Sequence, residues 1–98
     1  MYMNMKVLFY TSSGSEYTEI DVNIYTNQHN HNKVDIDFAL PVEPHTRVHV
    51  KNMPKEKCIY KIVYSKNADC VGLFSELGEC LRLLCLGNKY KNMKYEKV

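Results

Sequence analysis

The sequence has no tryptophan, no long apolar run and no catalytic or cofactor-binding signature in its 98 residues. No stretch approaches the roughly 18 apolar residues that a membrane-spanning helix needs. The opening residues, MYMNMKVLFY, have neither a basic lead nor an extended apolar stretch, so no secretory signal is expected. No segment repeats another, and none reproduces the motif of a known family. These absences exclude a helical membrane protein and give no support to a cofactor enzyme.

What is present argues for a folded chain. Hydrophobic residues make up 45% of the sequence and there are eight tyrosines, too many for a disordered segment. The length is read as one domain, residues 1–98, with room for a single core and little for a deep cleft. Segments 26–33 and 88–98 are its expected mobile loop and tail. Abundant Lys, Asn and Tyr with no Trp point to an AT-rich genome, as in many viruses, phages and low-GC bacteria. Of the four cysteines, Cys70, Cys80 and Cys85 fall in one segment with helical periodicity, and Cys58 lies before it. Reduced, buried thiols in a cytoplasmic protein are therefore expected rather than disulfide staples.

Periodicity organises the chain. Lys6 to Thr11 reads as a first strand and residues 16–25 as a second, with Ile20, Val22 and Ile24 on one face. Val34, Ile36, Phe38 and Leu40 line a third, ended by Pro41 and Pro44. Val48 and Val50 point inward in a fourth, and CIYKIVY, residues 58–64, makes a fifth. From Asp69 the spacing changes. Cys70, Leu73, Phe74, Leu77, Cys80, Leu81, Leu84 and Cys85 share a face at about 100° per residue. This predicts an amphipathic helix, capped by Asn67 or Asp69 and stopped at Gly87. The expected class is α+β: a mostly antiparallel sheet of about five strands with one C-terminal helix packed on one face.

Charge is segregated. Residues 1–46 hold two lysines against six acids, a net of −4; residues 47–98 hold eleven Lys/Arg against five acids, a net of +6. Within this lie two stripes, Asp35 and Asp37 on the third strand and Arg47, His49 and Lys51 on the fourth. Face parity in a hairpin sets Asp37 opposite His49 or Lys51. A hairpin between the second and third strands would crowd Glu19, Asp21 and Asn23 against Asp35 and Asp37.

Three functional readings follow. The leading one is a small interaction module, not an enzyme: a viral or phage accessory protein that binds and inhibits a host protein, or a homodimer. Its partner-binding residues are Glu19, Asp21, Asp35 and Asp37, with Leu83 and Leu86 on the polar side of the helical wheel and Tyr90 and Tyr95 beside them. The alternative is a nucleic-acid binder, with phosphates on Arg47, Lys51, Lys89, Lys91 and Lys94 and bases stacked on the tail tyrosines. The third is a metal-dependent hydrolase with a divalent cation between Asp21, Asp35 and Asp37, whose spacing matches no known loop. His29 and His31 have no thiol nearby for zinc, and Cys58 with His49 is the one Cys–His pair that adjacent fourth and fifth strands would bring together, though a buried strand cysteine is the expectation for Cys58. No catalytic residue, cofactor or metal ligand is assigned.

Overall fold

The computed structural model describes residues 2–87 and 96–97, with side-chain surroundings over residues 3–87. The strands are β1 (Tyr2–Thr11), β2 (Tyr17–Thr26), β3 (Lys33–Ala39), β4 (Arg47–Pro54), β5 (Lys61–Ser65), β6 (Cys70–Phe74), β7 (Cys80–Cys85) and β8 (Glu96–Lys97). There is no helix among the described residues, so the class is all-β rather than α+β. None of them is therefore long and apolar enough to cross a membrane as a helix.

The chain divides into two compact units, Met1–Lys6 with Ile20–Lys57, and Val7–Glu19 with Cys58–Val98. In the first unit the strand order is β4-β3-β2-β1. β2 pairs antiparallel with β3, and β3 antiparallel with β4. Val22, Ile36, Phe38, Leu40, Val48, Val50 and Met53 form its core, each no more than 3% exposed. All but Met53 are alternate positions that the two-residue period marks as inward, because one sheet face is solvated and the other is packed; Met53 comes in past the register shift between Val34 and Ile36.

In the second unit the order is β1-β5-β6-β7-β8. β1 runs parallel to β5, with Leu8 opposite Lys61 and Phe9 opposite Ile62. β5, β6 and β7 form an antiparallel meander, and β7 pairs parallel with β8. β5 begins at Lys61 rather than at Cys58 as expected, and its neighbours are β1 and β6.

The expected helix over residues 70–86 is a β-hairpin. Four successive residues of β6, Cys70 to Leu73, are buried. A strand covered on both faces shows an unbroken apolar run, which periodicity alone does not distinguish from a buried helix. Cys70 and Leu73, assigned to one helical stripe, differ in parity and so face opposite sides of β6. The hydrophilic breaks are turns. Asp69 has φ 53° and its N–H donates to Lys66 O at 3.3 Å, closing the β5–β6 connection where a helix cap was expected. Gly78 has φ 87°, a left-handed conformation that glycine adopts at no steric cost. Its N–H donates to Ser75 O at 3.0 Å, Ser75 N–H donates to Glu79 O at 2.9 Å, and Glu79 N–H donates to Ser75 Oγ at 3.1 Å. Leu77, expected on the apolar helix face, stands at this turn 97% exposed. Gly72 gives room to an aromatic ring: a Cβ there would lie 2.6 Å from Phe74 Cε2.

Candidate functional site

The solvated face of the first unit carries the charged stripes, joined by side-chain hydrogen bonds. Asn4 Nδ2 on β1 donates to Asn23 Oδ1 on β2 at 2.9 Å. Asn23 Nδ2 donates in turn to Asp37 Oδ1 on β3 at 2.9 Å. From the other side, Arg47 Nη1 on β4 donates to the same Asp37 Oδ1 at 2.9 Å, and His49 Nδ1 lies 4.0 Å from Asp37 Oδ2. Asp37 is the convergence point, its side chain only 15% exposed against 54% for Arg47 and 61% for His49. A shallow depression beside this ladder is lined by Asn4, Ile20, Asp21, Asn23, Ala39 and Arg47.

Register explains how the acidic stripe is accommodated. Asp37 faces His49 across the β3–β4 ladder, one of the two pairings that parity allows. Across β2–β3 the neighbours of Asp37 and Asp35 are Asn23 and Tyr25, so no two carboxylates stand directly opposite in that ladder. Asp21 pairs with Lys6 at 2.6 Å. Asp35 Oδ1 accepts from Asn27 Nδ2 at 2.9 Å and from the Asn52 N–H at 3.1 Å. Each of these carboxylates thus has a partner within its own unit. Glu19 is exposed and belongs to the second unit.

Asn27, which the sequence reading leaves in a polar connector, orders the β2–β3 turn. It is 5% exposed. Its Nδ2 donates to Asp35 Oδ1 and Asn52 Oδ1, each at 2.9 Å. Its Oδ1 accepts from the N–H groups of His29 at 2.9 Å and Asn30 at 3.0 Å. An asparagine followed by two backbone donors is an Asx-turn signal, legible in principle. His29 and His31 stay exposed.

The edge of β4 is the other feature of this face. Leu40 N–H donates to Thr46 O at 3.0 Å, which marks Leu40/Thr46 as a hydrogen-bonded pair of the β3–β4 ladder. Hydrogen-bonded and non-hydrogen-bonded pairs alternate. In the observed register Phe38/Val48 and Ile36/Val50 are then hydrogen-bonded pairs, while Ala39/Arg47 and Asp37/His49 are not. The backbone N–H and C=O groups of Arg47 and His49 therefore point away from β3, toward the outer side of a strand that ends the order. The regular edge stops after Val50, where the register shifts and Asn52 takes φ 64°.

The other expected site residues are not gathered. Leu83 lies in β7 opposite Gly72, and Leu86 follows β7 with its N–H donating to Asp69 O at 2.9 Å. Both are half-buried, so they are not the bare leucines of a helix. Tyr90, Tyr95, Lys89, Lys91 and Lys94 lie outside the described residues. Lys51 is exposed. No group of three or more His, Cys, Asp and Glu among the described residues could hold a metal ion, so Asp21, Asp35 and Asp37 do not make a cation site. The expected β4–β5 adjacency behind a Cys58–His49 pair is not formed: β4 pairs with β3, and Cys58 is exposed, not buried in a strand. Cys70 and Cys85 are buried free thiols, while Cys80 is exposed. Compared with known proteins, the chain matches no family model, no curated protein and no solved structure.

Proposed function

We propose that the chain is a protein-interaction module that binds an extended acidic segment of a partner by strand addition to β4. One observation carries the reading: the outward-pointing main-chain groups of Arg47 and His49, two residues apart, beneath a cationic stripe. An added strand satisfies those groups through its own backbone and sets its side chains in register with the stripe. Acidic residues on the partner would share the solvated face with Arg47, where an opposite charge across strands stabilises by roughly 0.2–1 kcal/mol. The intervening residues would be apolar, extending the row of Val48 and Val50, which are 0% and 1% exposed. The chain's own β3, KVDIDFA, has this alternation and already pairs with the inner side of β4.

Self-association through the same edge is disfavoured. A two-fold antiparallel pairing centred on His49 sets Arg47 opposite Lys51 of the copy, and like charges directly opposite destabilise. An acidic peptide fits better than a second copy.

The test is titration of a capped KVDIDFA peptide into the protein, followed by fluorescence anisotropy. Binding is expected to weaken with salt and about tenfold in His49→Pro, which removes one outward N–H that an edge strand does not need for its own ladder. A peptide with both aspartates replaced by lysine should not bind. Equal affinity for wild type and His49→Pro, or no binding of KVDIDFA, overturns the reading. Tight oligonucleotide binding with a steep salt slope would favour nucleic acid as the ligand instead.

A further inference from the structure

We propose that Cys70 and Cys85 form a cross-strand dithiol that peroxides convert to an intrachain disulfide, a modification site independent of the β4 edge. The two residues face each other in the β6–β7 ladder. Leu86 N–H donates to Asp69 O at 2.9 Å, so Asp69/Leu86 is a hydrogen-bonded pair and Cys70/Cys85, the next, is not. Non-hydrogen-bonded antiparallel pairs hold their Cα atoms about 4.5 Å apart with side chains on one face. Disulfides accept Cα separations of about 4.4–6.8 Å, so closure requires no change of register.

The surroundings hold both thiols in reserve. Cys70 is 5% exposed and Cys85 0%. Each rests on a carbonyl two residues away: Cys70 Sγ donates to Ala68 O at 3.2 Å, and Cys85 Sγ donates to Gly87 O at 3.1 Å. Burial first, and then Cys85 and the Asp69 carboxylate, push the Cys70 thiol above its ordinary pKa. The protonated thiol is a poor nucleophile, so attack waits for loss of a proton and reaction with bulky reagents is slow. A small hydroperoxide is the co-reactant that suits a buried site.

The steps balance. One thiolate attacks a peroxide oxygen, the O–O bond breaks, and hydroxide leaves and takes up a proton, giving a sulfenic acid and water. The facing thiol displaces the sulfenic hydroxyl, forming the S–S bond and a second water. Two thiols and one hydrogen peroxide thus give one disulfide and two waters. The product ties the start of β6 to the end of β7.

The experiment uses the full chain carrying Cys58→Ser and Cys80→Ser, which removes the two exposed thiols. After excess hydrogen peroxide, the protein is unfolded, alkylated and weighed. Loss of two hydrogens, no alkylation, and return of two alkylatable thiols after dithiothreitol are expected, with a higher melting temperature for the oxidised form. Adding Cys85→Ala should abolish the two-hydrogen loss. Two thiols that stay alkylatable after the half-exposed Met3 is fully oxidised would overturn the proposal. So would sulfinic or sulfonic products without a cross-link. Peptide mapping of the oxidised wild-type chain is the second measurement. It should join Cys70 to Cys85, and joining either to Cys58 or Cys80 would count against the pair.

Discussion

Asn27 anchors more of the first unit than its place in a polar connector implies. It is the one buried polar residue among those described. Its amide group makes four hydrogen bonds, and truncation strands two backbone donors near the turn. Asn27→Ala should therefore cost about 2–3 kcal/mol in urea unfolding, near the upper end for a lost buried polar group. Asn27→Asp should not restore it, because a carboxylate has no N–H to give Asp35 and adds a like charge beside it. At Gly72 the limit is space rather than hydrogen bonding. Gly72→Ala brings a Cβ to 2.6 Å from Phe74 Cε2 and 3.0 Å from Cζ, and overpacking of this kind costs about 1–3 kcal/mol. Pairing it with Phe74→Leu should recover part of the loss, since leucine lacks both clashing atoms, and a double-mutant cycle measures the coupling.

Among the elements, the β6–β7 hairpin makes a prediction opposite to that of the helix expected there. A leucine on the buried stripe of a helix costs about 2–5 kcal/mol when removed. At an exposed turn, Leu77→Gln should change unfolding stability by less than about 0.5 kcal/mol. Val71→Ala in β6, where Val71 is 0% exposed, should be clearly destabilising by the same measurement. The contrast explains what the sequence made legible. β2, β3 and β4 each present one face to solvent, so polar and apolar residues alternate and parity narrows the partner of Asp37 to His49 or Lys51, of which the register selects His49. β6 has no solvent face. Its run CVGLF, followed by SELGECLRLLC, falls by chance on helical spacing, and only the left-handed positions at Asp69 and Gly78 betray the turns. Helical spacing would separate Cys70 from Cys85 by about four turns, whereas the hairpin sets them face to face. The Asn4–Asn23–Asp37–Arg47 ladder depends on which strands are neighbours, and a local pattern contains no such information. The β4 edge was legible as a charge stripe but not as a row of outward main-chain groups.

Considered as one molecule, the chain should be sensitive to alkali. Burial, with the Asp69 carboxylate adding to it, raises the Tyr64 phenol above its ordinary value of 10.0; burial, Cys85 and Asp69 raise the Cys70 thiol above 9.0. Both groups keep their protons longer when folded than when unfolded. Their contribution is fully present below the ordinary values and is lost as pH climbs through the raised ones, since the unfolded chain then binds fewer protons. Stability measured by urea unfolding should thus fall from about pH 9 upward. Cys70→Ala should delay the onset toward pH 10, where Tyr64 acts alone. The parallel pairing of Leu8 with Lys61 has a different reach, in time rather than in pH. During synthesis β1 precedes β2, β3 and β4, and its parallel neighbour β5 is made only after all three. Long-range parallel pairing of this sort is slow to form, so the nascent chain carries an open strand edge at Leu8 to Thr11 until Tyr64 emerges, and that interval is when it is most exposed to misassembly.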